Sequence, residues 1–153
     1  MTNLLCDVLN ALQGKSLVTA ESLTGGMIGS ALTAIPGSSK VYKGGVISYT
    51  NWVKENILGV DGEVLNQYGA VSAPVARSMA EGVRNALQGD VAVSVTGLAG
   101  PDGDEYGNPV GTVFIGYCDA NIAFAERYHF IGNREEVRQQ TVRAALEIVL
   151  KNA

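Results

Sequence analysis

The 153-residue chain holds two cysteines, Cys6 and Cys118, and a single histidine, His129. Two thiols cannot make a disulfide framework, and one imidazole without further ligands gives no zinc site, so both cysteines read as small buried apolar residues. No apolar run reaches the length of about 18 residues that a membrane-spanning helix needs. The opening MTNLLCDVLNAL has helical spacing and lacks the basic start of a secretory signal, which makes a cytoplasmic protein the expectation. Positive charge is scarce as well: eleven Lys and Arg against fifteen Asp and Glu leave a net charge of −4. That balance speaks against broad attraction to nucleic acid or to an acidic membrane surface. Neither a G-x-x-x-x-G-K-[ST] triphosphate loop nor a G-x-G-x-x-G dinucleotide turn is present. The acidic stretch DGDEYGN resembles a calcium loop, but the position that an EF-hand closes with glutamate, counted from Asp102, is Val113. A turn rich in Asp, Gly and Asn is the better reading.

What the chain does have is apolar material, 46% of its residues, enough for one domain over residues 1–153 with a core of its own. Leu4, Leu5, Val8, Leu9 and Leu12 mark one face of a helix that Gly14 ends, and SLVTA follows as a buried strand. Met27, Ile28, Ala31, Leu32 and Ile35 keep helical period up to Pro36-Gly37, and KVYKGGVISYT carries a second strand. Short helical pieces fall at 54–58 and 63–68. A longer helix begins with Ser72 as N-cap and Pro74 in its first turn, and buries Val75, Met79, Val83 and Leu87. DVAVSVTG is the most strand-like run. A glycine-rich loop then leads into GTVFIGYC and, across Asp119-Ala120-Asn121, IAFAERYHF, an antiparallel hairpin. Asn133 and Glu136 open the last helix as a capping box. Helices alternating with strands predict an α/β fold: a three-layer α/β/α sandwich around a mixed, mainly parallel sheet of about five strands. Its site belongs at the rim where loops leave the parallel strands, the place of both ESLTGG and TGLAGP.

At that rim Ser22, Thr24, Gly25 and Gly26 gather hydroxyls and backbone N–H groups as a helix begins, which suits an anion or oxyanion site. The same residues suit a helix cap and a tight turn. A nucleophilic serine needs a base, and His129, inside the last strand, reads as structural. A lysine of lowered pKa can serve instead, and Lys54, just after the strand that ends near Tyr49, can face the same rim. Ser, Tyr and Lys also occur in short-chain dehydrogenases, but there Tyr and Lys stand four apart on one helix after a dinucleotide turn. Here they are five apart and the turn is missing.

The blocks TAESLTGG, GSSKVYKGGVISYTNWVKENILGV, YGAVSAPVARSMAEG, SVTGLAGPDG, PVGTVFIGY and GNREEVRQQTVRAAL cover nearly the whole chain. In them the sequence resembles the CinA C-terminal domain family, whose stand-alone members are nicotinamide-nucleotide amidases. The resemblance implies hydrolysis of the carboxamide of nicotinamide mononucleotide to nicotinate mononucleotide and ammonia, without metal or cofactor. Ser22 falls on the family's catalytic serine, and Tyr49 and Lys54 on its tyrosine and lysine. Neutral Lys54, assisted by the Tyr49 hydroxyl, would then take the serine proton. Thr24, Gly25 and Gly26 are the expected oxyanion or substrate contacts. Gly97, Ala99, Gly100, Arg134 and Arg138 are the expected phosphate contacts. Asn108 stands where many relatives have Lys before PVGT, which bears on how that loop closes over substrate. The separate N-terminal domain of longer relatives, and whatever activity belongs to it, is expected to be absent. The partner implied is this small molecule, not nucleic acid or membrane, with a homo-oligomer possible. A catalytically silent pyridine-nucleotide-binding or regulatory module is the other class open to such a sequence.

Overall fold

A computed structural model describes residues 1–153. The elements run α1 (Thr2–Ala11), β1 (Leu17–Glu21), α2 (Met27–Thr33), β2 (Tyr42–Ile47), α3 (Asn51–Asn56), α4 (Gly62–Tyr68), α5 (Ala73–Leu87), β3 (Val91–Gly97), β4 (Thr112–Cys118), β5 (Ala123–His129) and α6 (Arg134–Asn152). The five strands form one sheet in the order β2-β1-β3-β4-β5. β1 pairs in parallel with both β2 and β3, whereas β3–β4 and β4–β5 are antiparallel. Four strands therefore point one way and β4 alone opposes them.

Alternation along the strands builds two cores, because successive side chains leave opposite faces of a sheet. Leu17, Val93, Val95, Ile115 and Tyr117 pack on one face against α1, α2 and α6. Val18, Ala20 and Ala92 pack on the other against α4 and α5. This is the expected three-layer sandwich with a mixed sheet. None of its helices is long and apolar enough to cross a membrane.

Local signals acted largely as their chemistry requires. The Asn133–Glu136 capping box is complete at the start of α6. Asp119 turns the β4–β5 hairpin by accepting the N–H groups of Asn121 and Ile122. Asp104 likewise accepts from the N–H groups of Tyr106 and Asn108, so DGDEYGN is a turn. Three readings change. Ser72 is at the N-cap of α5, but its hydroxyl donates to the Gly69 carbonyl at 2.8 Å instead of capping the helix. The first short helix starts earlier, at Asn51, because Thr50 supplies its cap. Cys6 is only half-buried, unlike Cys118.

Gly82 shows how closely α5 approaches the segment after α3: a Cβ there would collide with the Leu58 carbonyl oxygen. Alanine in a helix interior ordinarily stabilises by about 1 kcal/mol over glycine. Overpacking against backbone costs about 1–3 kcal/mol and wins here. Gly82→Ala should lower the urea midpoint of unfolding, and a raised midpoint would show that the close approach is not maintained in solution.

Candidate active site

β1 and β3 are neighbours whose onward connections leave to opposite sides of the sheet. β1 runs through α2 to β2, and β2 returns across the α5 face to β3. A crevice opens at the carboxyl ends of such strands. There a cavity of about 350 Å³ is lined by Ser22, Leu23, Tyr49, Lys54, Asp102 and Arg134, with the Gly97–Gly100 run as one wall.

Ser22 leaves β1 with its N–H still bonded to the Val95 carbonyl, 3.0 Å away. Lys54, on α3, is 1% exposed, and its Nζ lies 3.1 Å from Ser22 Oγ and 2.7 Å from the Ser48 carbonyl. Ser48 is held in turn: its N–H donates to the Glu21 carbonyl at 2.8 Å. Serine, lysine and the backbone of both strands thus close a ring. No carboxylate pairs with the lysine. Desolvation without a compensating anion lowers its pKa from 10.5 to about 8.

The turn after Ser22 differs from expectation. The N-terminal end of α2 is occupied by Glu21, a 2% exposed carboxylate that accepts from the N–H groups of Ile28 at 2.9 Å and Gly29 at 3.1 Å and from the Thr24 hydroxyl at 2.6 Å. Neither Ser22 nor Thr24 caps the helix. Gly26 is its N-cap in the left-handed region, φ 106°, which a side chain would resist. The Gly25 N–H is spent on the Ser22 carbonyl at 3.2 Å. Thr24, Gly25 and Gly26 do not line the cavity, whereas Leu23 does. The N–H groups of Leu23 and Thr24 find no acceptor in the protein. The donor that could meet an oxyanion at the cavity wall is therefore the Leu23 N–H, directly after Ser22 and ahead of the glycines.

The other expected contacts divide. Gly97, Ala99, Gly100 and Arg134 line the cavity. Arg134 donates to the Gly100 carbonyl at 2.7 Å and reaches the Tyr49 hydroxyl at 3.5 Å. Tyr49 also lines the cavity, but it is 59% exposed, and its hydroxyl meets Arg134, not Lys54 or Ser22. Arg138 lies outside; its guanidinium holds the carbonyls of Leu23 and Thr24. His129 bonds the Val110 carbonyl away from the site. Asn108 reaches the Val71 carbonyl at 3.1 Å and ties the acidic turn to a cavity wall. Asn51, Glu21 and the Ser48 carbonyl went unread in the sequence, and Asp102 was read only as part of the acidic turn. A lone carboxylate ending an apolar strand, before a glycine turn whose helix has no cap of its own, was the signal for Glu21.

A family model described as the CinA C-terminal domain matches residues 2–153. The chain belongs to the CinA C-terminal domain family. A CinA-like protein of Salinibacter ruber is 47% identical over 141 residues, covering 92% of this chain and 34% of the relative. The chain spans about a third of the length of the curated relatives it matches. Among solved structures, a competence-damaged protein (CinA) superfamily protein of Escherichia coli aligns with TM-score 0.96 and 37% identity over 99% of this chain and 89% of that one. The competence/damage inducible protein CihA of Agrobacterium tumefaciens aligns with TM-score 0.93 and 38% identity over 97% and 93%.

Burying Lys54 costs this CinA domain stability. Its pKa of about 8 against 10.5 corresponds to about 3 kcal/mol. The folded state holds fewer protons than the unfolded chain between those values, so stability rises with pH across that window. Below pH 8 the cost is present in full. Relative to Lys54→Met, the wild type should gain about 3 kcal/mol in unfolding free energy between pH 7 and 10.5, measured by urea titration. A difference that does not move with pH would place an ordinary, solvated lysine at this position.

Proposed function

We propose that this domain hydrolyses the carboxamide of nicotinamide mononucleotide to nicotinate mononucleotide and ammonia, with Ser22 as nucleophile and Lys54 as its base. One observation carries the reading: a lysine amine without a carboxylate partner, 3.1 Å from a serine hydroxyl at the wall of a cavity. A module that only binds a nucleotide gains nothing from a desolvated lysine, whereas a hydroxyl nucleophile requires a base poised near working pH.

In the neutral amine one N–H remains on the Ser48 carbonyl, which leaves the lone pair free to turn toward Ser22. Ser22 Oγ bonds to the amide carbon as its proton passes to Lys54. The carbonyl oxygen becomes an oxyanion beside the Leu23 N–H. As the C–N bond breaks, Lys54 returns the proton to the departing nitrogen and ammonia leaves. Water then adds to the acyl ester, giving its proton to Lys54; the Oγ–carbon bond breaks and Ser22 recovers its hydrogen. Arg134 is the cation available to the nucleotide phosphate. Tyr49 offers the pyridine ring a flat wall, and its hydroxyl orients Arg134. That role replaces direct assistance to the base.

Ammonia release from nicotinamide mononucleotide by the purified domain tests the reading directly, and its absence would leave the silent binding module. Ser22→Ala should remain folded and lose at least about 10³-fold in kcat. Near-normal turnover in that variant would remove the covalent mechanism.

Because the base must be neutral, kcat/KM should rise with pH to a plateau above about 8. Lys54→Arg, which keeps the charge and cannot serve as base, should be as damaging as Lys54→Ala. Tyr49→Phe should cost about 10-fold or less, as the loss of one exposed hydroxyl contact does. A dead Tyr49→Phe beside an active Lys54→Arg would transfer the base to tyrosine.

A further inference from the structure

α6 sends two arginines, one helical turn apart, to different walls of the site. Arg134 holds the β3–β4 loop. Arg138 instead reaches the turn behind Ser22, where Nε donates to the Leu23 carbonyl at 2.9 Å and one terminal nitrogen to the Thr24 carbonyl at 3.3 Å. Its other terminal nitrogen lies 3.4 Å from Glu135. All three nitrogens have partners already, which argues against the phosphate role the sequence suggested.

A planar trans peptide carries its N–H on the edge opposite its C=O. In holding the Thr24 carbonyl, Arg138 therefore sets the direction of the Gly25 N–H. That N–H bonds the Ser22 carbonyl, which sets the direction of the Leu23 N–H in the same manner. Leu23 lines the cavity and is 4% exposed, yet its N–H lacks an acceptor. Orphan backbone donors are rare in buried positions and call for a purpose.

We propose that Arg138 is a positioning residue: by holding the Thr24 carbonyl it fixes, through the Gly25 bond to the Ser22 carbonyl, the Leu23 N–H at the cavity wall, which stabilises the oxyanion formed when Ser22 adds to a trigonal centre. The inference rests on Ser22 being a nucleophile, but not on the identity of the amide. It separates α6 into an outer arginine at the cavity and an inner one that acts through backbone.

Pyridine-3-boronic acid isolates the step: Ser22 Oγ bonds to boron, its proton passes to Lys54, and a tetrahedral boronate anion results. Its Kd would be followed by boron NMR for wild type, Ser22→Ala, Arg138→Met and Arg138→Lys, each checked for fold by circular dichroism. In Arg138→Met, kcat on nicotinamide mononucleotide should fall by about 10–100-fold with KM nearly unchanged. The boronate Kd should rise by the same factor, the Kd of nicotinate mononucleotide should not move, and Arg138→Lys should recover part of both losses. Boronate that ignores Ser22, or binds folded Arg138→Met as tightly as wild type, overturns the inference. So does a loss confined to phosphorylated ligands and missing with nicotinamide riboside, which would make Arg138 a phosphate contact. Should wild type release no ammonia while its boronate affinity depends on Ser22 and Arg138, the substrate reading falls and this inference stands.

Discussion

The site depends on one unfavourable placement, an amine held in a water-poor cleft by two oxygens and no anion. The Ser48 carbonyl and the Ser22 hydroxyl give Lys54 its only partners. Neither neutralises it. A carboxylate at the same distance would hold the lysine as an ammonium, since the paired cation would keep its proton. The absence of an acidic neighbour is therefore a constructive feature, and the rest of the fold must supply the stability that this cleft withholds.

Two parallel strands make that placement possible. β1 ends at Glu21, directly before Ser22, and the chain beyond β2 stays in register long enough for Ser48 to pair with Glu21. Lysine and serine are thus tied to neighbouring strand ends rather than to mobile loop tips. Glu21 stiffens the arrangement from below by binding the first free N–H groups of α2. Without it, that helix end would compete for any anion brought to Ser22.

Much of this was legible in the sequence. The strand run of β3, the capping box of α6 and the apolar stripe of α5 identified the layers, because each is a local pattern with a local cause. Ser22, Tyr49 and Lys54 became specific through resemblance; the pattern around Ser22 alone left a helix cap and a tight turn open. The rest was hidden for a definite reason. The Ser48 carbonyl and the Leu23 amide are backbone groups, which every residue possesses and no letter announces. Arg134 and Arg138 look alike in the sequence, and only the tertiary fold sends one to the cavity and the other to the turn. Tyr49 was drawn toward the base by its family position, whereas its exposed hydroxyl settles on Arg134.

The capping box at Asn133 joins matters that a list of contacts keeps apart. Arg134 and Arg138 lie in the first two turns of the same helix, so the start of α6 restrains the β3–β4 loop and the Ser22 turn together. Helix ends open at free energies well below that of global unfolding. Fraying of these few residues would release both restraints in a single event while the sheet stays intact. Heat would thus dismantle the cleft around Ser22 at temperatures where the far-ultraviolet spectrum still reads as native.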